Sequence, residues 1–126
     1  MLHHISFSVT DIERSARFYD AALRPLGYVR VWTDSSAIGY GRPGGGDKFA
    51  LKLDASENLA PRPRFHLAFC APSPTSVDEF HQAALEAGGK DNGAPGPRNR
   101  YGPHYYAAFV IDPDGYRIEA VVNVPA

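Results

Sequence analysis

The sequence predicts an α+β fold built from two copies of one strand–helix–three-strand unit. Three observations carry that expectation. Apolar and polar residues alternate in "HISFSV" and again in "HLAFC", the pattern of strands with one covered face. Each stretch runs into a segment with apolar residues at helical spacing, which then ends in glycine. Sliding one half over the other by 62 residues gives seven identities in the 24 positions from His4 to Gly27, with His4 on His66, Phe7 on Phe69, Phe18 on Phe80 and Gly27 on Gly89.

The elements follow in chain order. Residues 2–9 alternate, with Ile5, Phe7 and Val9 on one face and His4, Ser6 and Ser8 on the other. Thr10 and Glu13 fit a capping box for a helix carrying Ile12, Ala16, Tyr19 and Leu23, and Gly27 stops it. Strands are expected near 28–33, 36–41 and 48–54, with Gly44, Gly45 and Gly46 as a flexible connection before the last. "NLAPRPR" separates the halves, so one domain spanning 1–126 contains modules at about 1–58 and 63–124. The second module opens with Phe65, Leu67 and Phe69 against His66, Ala68 and Cys70. Thr75 and Asp78 are expected to open its helix, which carries Val77, Phe80, Ala84 and Leu85 and closes at Gly88 and Gly89. Strands are expected near 91–95, 104–111 and 115–122. The last two are joined by "DPDG", whose Pro in second place and Gly in fourth favour a type I turn.

Composition excludes several function classes. A chain of 126 residues, 13.7 kDa, forms one domain. Its formal charge of -1 and scattered basic residues do not suit nucleic acid. No apolar run approaches the roughly 20 residues that cross a bilayer, and the start lacks a signal-peptide profile. A single cysteine, Cys70, fits a reducing cytoplasm, the expected location. A small molecule is therefore the expected partner. In each module the large apolar residues face the helix, leaving a second face of His, Ser, Ala and Cys suited to lining a cavity.

Three stretches, "HHISFSVTDIERSARFYDAAL", "FHLAFCA" with its helix, and "YYAAFVIDPDGYRIEAV", resemble the vicinal oxygen chelate superfamily. That superfamily includes glyoxalases, extradiol dioxygenases, fosfomycin-resistance proteins and bleomycin-resistance proteins. The resemblance implies paired βαβββ modules forming a cupped mixed sheet, and a homodimer. It also implies a divalent metal ion held by His4, His66 and Glu119. Strand alternation agrees for the last: Arg117, Glu119 and Val121 share a face opposite Ile118 and Ala120. An ionised carboxylate inside a sheet is costly unless a cation offsets it. Two imidazoles and one carboxylate leave about three positions open in an octahedral shell, which suits Fe, Mn, Ni or Zn.

Glyoxalase-type relatives place a fourth ligand on the last strand of the first module. The corresponding residue here is read as Lys52, whose ammonium does not ligate, so a four-ligand isomerase is the least favoured chemistry. Lys52 is expected either to bind an anionic substrate beside the metal or to pair with Glu119 in its place. Arg100 is a candidate clamp for a carboxylate or phosphate, weighed against a solvated loop arginine. His104 and Tyr105 are the candidates for proton transfer. Phe109 stands where extradiol enzymes carry a tyrosine, ten residues before the carboxylate. His3 and His81 are read as ordinary hydrogen-bonding residues. "GRPGGGDK" lacks the ending and helix of a phosphate loop. The function expected is thus a metal-dependent lyase, dioxygenase or thiol transferase acting on a small oxygen-chelating molecule. The alternative is a non-catalytic binding protein of the bleomycin-resistance type.

Overall fold

The computed structural model describes residues 1–55 and 61–125. The first module contains β1 (Ile5–Val9), α1 (Ile12–Leu23), β2 (Val29–Thr33), β3 (Ala37–Gly41) and β4 (Phe49–Leu53). The second contains β5 (His66–Cys70), α2 (Pro74–Glu86), β6 (Lys90–Pro97), β7 (Tyr105–Ile111) and β8 (Arg117–Asn123). Each forms a four-stranded mixed sheet, in the orders β1-β4-β3-β2 and β5-β8-β7-β6. The first strand of each module pairs in parallel with the last, and the other pairs are antiparallel. Two βαβββ units of one topology are the outcome the 62-residue repeat predicts.

The helix caps differ from the sequence reading. Asp11, not Thr10, caps α1 by accepting from the Arg14 amide at 3.1 Å. Ser73, not Thr75, caps α2 by accepting from the Ser76 amide at 3.1 Å, with Pro74 opening the helix. Pro suits that first position because its missing N–H would have no partner there. The true caps lie 62 residues apart (73 minus 11), so the repeat extends to them. The Thr10 hydroxyl is engaged elsewhere, donating to Asp114 at 2.7 Å and accepting from the Arg14 guanidinium at 3.0 Å. Gly27 ends a short 3-10 turn after α1 at φ 90°, as expected. Gly88 rather than Gly89 takes the left-handed position after α2.

Both helices pack on the inner faces of the sheets and on each other, giving one shared core. Phe7, Phe49 and Leu51 from the first sheet and Phe69, Ile118 and Ala120 from the second all belong to it. Each large apolar side chain buried this way contributes roughly 1.5–3 kcal/mol. Phe7 stacks on Tyr116 at 3.9 Å between ring centroids, and Phe49 meets Phe69 edge to face at 5.3 Å. Aromatic contacts therefore cross the boundary between modules.

The DPDG turn crosses it as well. The Gly115 amide bonds to the Asp112 carbonyl at 3.0 Å, closing the predicted turn. Asp112 is buried, and its carboxylate accepts from Tyr19 of α1 at 2.5 Å and from the Asp114 and Tyr116 amides at 2.9 Å each. Burial pushes this carboxyl up to about 6 although those donors pull it down. Asp114, also buried, accepts from Thr10, Arg14 and Ser15 at the start of α1. The turn is therefore a latch holding the second module to the first.

Candidate functional site

With helices on the inner faces, each sheet presents one open face. Register decides what stands there. In the second sheet His66 lies beside Arg117, Ala68 beside Glu119 and Cys70 beside Val121. Across β7, Phe109 pairs with Glu119 and Tyr105 with Asn123. These partners share a face because cross-strand neighbours point the same way.

Glu119 is the centre of this face. It is 1% exposed, and its carboxylate is reached by His66 Nε2 at 3.2 Å and by the Tyr105 hydroxyl, which donates to Oε2. Burial, followed by the bond to Glu119, raises the Tyr105 pKa, so this phenol stays protonated and remains a donor at neutral pH. The predicted metal residues His66 and Glu119 and the predicted proton-transfer residue Tyr105 are thus in direct contact. The other predicted residues lie apart from them. His4 is exposed, with its Nδ1 2.8 Å from Nδ1 of His3. It borders a cavity of about 360 Å³ between the start of β1 and β5, lined also by Tyr40, Lys48, Phe49, Phe69 and Cys70. Among the described residues no three His, Cys, Asp or Glu side chains gather closely enough to hold an ion. Two donors of the expected set fit a metal by their chemistry and contact; the third does not reach them within one chain.

Lys52 is exposed on the first sheet, opposite Ser8 and Ala37. It does not pair with Glu119, whose partners are His66 and Tyr105. The register also revises its equivalence. Ala68 corresponds to Ser6 in the repeat, and Ser6 pairs with Ala50, so Ala50 occupies the place in the first module that Glu119 holds in the second. Sequence alone leaves the β1–β4 register open, and at a shift of two residues Lys52 takes that place. Arg100 donates to the Tyr101 hydroxyl at 3.0 Å and lies over the ring of that neighbour. His104 is exposed in the turn before β7. His81 bonds to Asp91 at 2.9 Å, the ordinary role expected of it.

Sequence reasoning missed one wall of this face. Arg98 folds back along β6, donating to the carbonyls of Ala94 at 2.6 Å and Gly96 at 2.9 Å, and it covers the Phe109 ring at 5.4 Å. The glycines of β6 make this possible. A Cβ at Gly93 would stand 2.9 Å from the Phe109 ring, at a φ of +152° that side chains rarely adopt. Two bulges where β6 pairs with β7 accompany them. The strand expected near 91–95 runs over Lys90–Pro97 in the structure, as an irregular edge strand.

Residues 1–120 match the family model of the Glyoxalase/Bleomycin resistance protein/Dioxygenase superfamily. The YqjT protein of Bacillus subtilis (strain 168) is 30% identical, the match covering 95% of this chain and 97% of that protein. A glyoxalase/bleomycin resistance protein from Albidiferax ferrireducens T118 superposes with a TM-score of 0.79 at 33% identity, covering 94% of both chains. The fosfomycin resistance protein FosX from Mesorhizobium loti shares the fold, with a TM-score of 0.71 at 21% identity over 98% of this chain and 92% of that one. The repeat, the two βαβββ sheets and the match along nearly all of its length place this chain in the glyoxalase/bleomycin resistance protein/dioxygenase superfamily.

Proposed function

We propose that the chain is a metal-dependent enzyme acting on a small oxygen-chelating molecule, by dioxygenase-, lyase- or thiol-transferase-type chemistry. His66 and Glu119 would supply two ligands to a divalent ion (Fe, Mn, Ni or Zn), and His4 of a second copy the third. The observation that carries this reading is the contact of His66 with a buried Glu119 on an otherwise open sheet face. A carboxylate is seldom kept that far from water without a cation nearby. A homodimer follows from the same reading, since His4 stands away from this pair within one chain.

When bound, such an ion supplies a Lewis acid with free positions for two adjacent substrate oxygens. The chain's own residues do the rest. Tyr105 fixes the Glu119 carboxylate in one orientation and holds a proton at its hydroxyl beside the site. His104, in the turn before β7, is the second group placed to exchange protons. Lys52 and Arg100 would steer an anionic substrate toward the cup. A reducing compartment such as the cytoplasm suits the unpaired, exposed Cys70.

One observation favours a second reading. Glu119 already has two partners without an ion, as expected of a small-molecule binding protein that keeps the cup and dispenses with the metal. Elemental analysis of protein purified without chelators separates the two. The enzyme reading expects a bound transition metal, or a rise in melting temperature on adding Fe, Mn, Ni or Zn. Neither metal nor stabilisation would leave the binding protein.

A further inference from the structure

Beside the His66–Glu119 pair, a cavity of about 310 Å³ opens on the second sheet, lined by Arg64, His66, Asn92, Phe109 and Arg117 among others. Its charge is one-sided. Arg64 and Arg117 border it directly, and Arg98 covers the Phe109 ring on its wall. The carboxylate beside them, Glu119, is already held by His66 and Tyr105. Neither Arg64 nor Arg117 takes part in an ion pair among the described residues.

Arginines without a partner are common on surfaces, but these two border the same cavity, Arg117 from β8 and Arg64 from the turn that leads into β5. The strand period of two puts Arg117 on the open face with Glu119, and pairing sets Arg117 directly beside His66. Asn92, on the bulged β6, adds an amide donor from the opposite wall. Two planar forks and an amide around a small cavity form a set of donors without an acceptor charge. Carboxylate and phosphate oxygens complement such a set, because guanidinium binds them bidentately.

We infer that Arg64, Arg117 and Asn92 form an anion-binding arm of the site, so that the substrate carries a carboxylate or a phosphate-like group next to its chelating oxygens. This rests on the His66–Glu119 face being the functional site, and it moves recognition of the anion from Lys52 and Arg100 to residues adjoining the pair. The arm binds the charged end while the reacting end is directed to His66 and Glu119. Neutral molecules of similar size lack what the arm holds and are discriminated against.

Isothermal titration with inorganic phosphate and, separately, acetate tests this on the full chain. The wild type is expected to bind at least one of them. Whichever binds names the preferred anion. R64Q and R117Q should each weaken that binding about tenfold or more, whereas R117K should retain part of it, as a point charge without the fork does. Neither guanidinium has a described partner, so both Gln variants should melt at the wild-type temperature. Transition-metal affinity, measured on the same proteins, should not change in R64Q or R117Q. Wild-type anion affinity in both Gln variants, or no binding of either anion by the wild type, would overturn the inference and leave the metal reading intact. E119Q makes the converse distinction: it should abolish metal binding and keep the anion.

Discussion

The two modules share a topology and differ in what their open faces carry. In the first sheet Ser6 and Ser8 pair with Ala50 and Lys52, and the Trp32 indole lies over Gly39. A Cβ on Gly39 would stand 2.2 Å from the indole nitrogen. That face is small-residued and partly covered by one ring. In the second sheet Glu119 stands in the place of Ala50, and it is reached by Tyr105 and by His66, the counterpart of His4. Duplication preserved the frame and a histidine at the start of each module, while the buried carboxylate and the phenol that donates to it stand on the second copy. The lesson is that the inner faces, which bury Phe7, Leu51, Phe69 and Ile118, are constrained by packing in both modules, whereas the open faces were free to diverge.

The largest test of that asymmetry compares Glu119→Gln with Lys52→Gln. Loss of the carboxylate should weaken transition-metal affinity about 100-fold or more, beyond what supporting residues usually contribute. Lys52→Gln should leave it within about threefold. Equal effects, read by competition with a metal-responsive dye, would erase the distinction between faces.

The connections between the last two strands differ as sharply. The first module uses the exposed stretch "RPGGGD", and the second uses the buried DPDG latch. Asp114→Ala would leave Thr10, Arg14 and Ser15 without their shared acceptor and should cost about 3 kcal/mol or more in urea unfolding. A cost under about 1 kcal/mol would mean the aromatic contacts alone hold the modules together.

The same latch predicts a pH dependence. Asp112 titrates at about 6 in the folded chain against an ordinary 3.8, so folding favours its protonated form. Its stabilising contribution is complete below about 3.8 and is lost as pH rises through about 6. Between those values wild type minus Asp112→Asn should therefore lose about 1–3 kcal/mol of stability as pH increases. A flat difference would show that Tyr19 and the two amides offset the desolvation entirely.

The smallest effect belongs to the first face. Gly39→Ala drives a methyl into the Trp32 ring, which is partly exposed and can move, so the cost should be about 1 kcal/mol. Adding Trp32→Ala should cancel most of what the indole causes; a full residual cost would assign the crowding to Asp47 instead.

Much of this was legible in the sequence, for definable reasons. The repeat, the helix and strand faces and the DPDG turn rest on local periodicity and turn chemistry, which operate within a few residues. His66 and Glu119 are singled out by strand alternation and family resemblance together, whereas Tyr105 is a candidate only by its nearness to Phe109, the position the resemblance marks. What escaped depends on distant partners. Thr10 reads as a cap until Asp114, 104 residues away, takes its hydroxyl. Lys52 reads as the counterpart of Glu119 until pairing with Ser6 assigns that place to Ala50. Arg117 shares the face of Glu119 by strand alternation, but Arg64 lies in a turn 53 residues earlier, and only the cavity brings the two together.

A mixing experiment reaches the proposed cup most directly. His4→Ala and Glu119→Gln chains, each deficient in metal binding alone, are unfolded together and refolded as an equal mixture. If His4 of one copy serves His66 and Glu119 of another, random pairing restores one intact site in each mixed dimer, or about a quarter of the wild-type metal per chain. No recovery above the separate variants would contradict a site shared between copies.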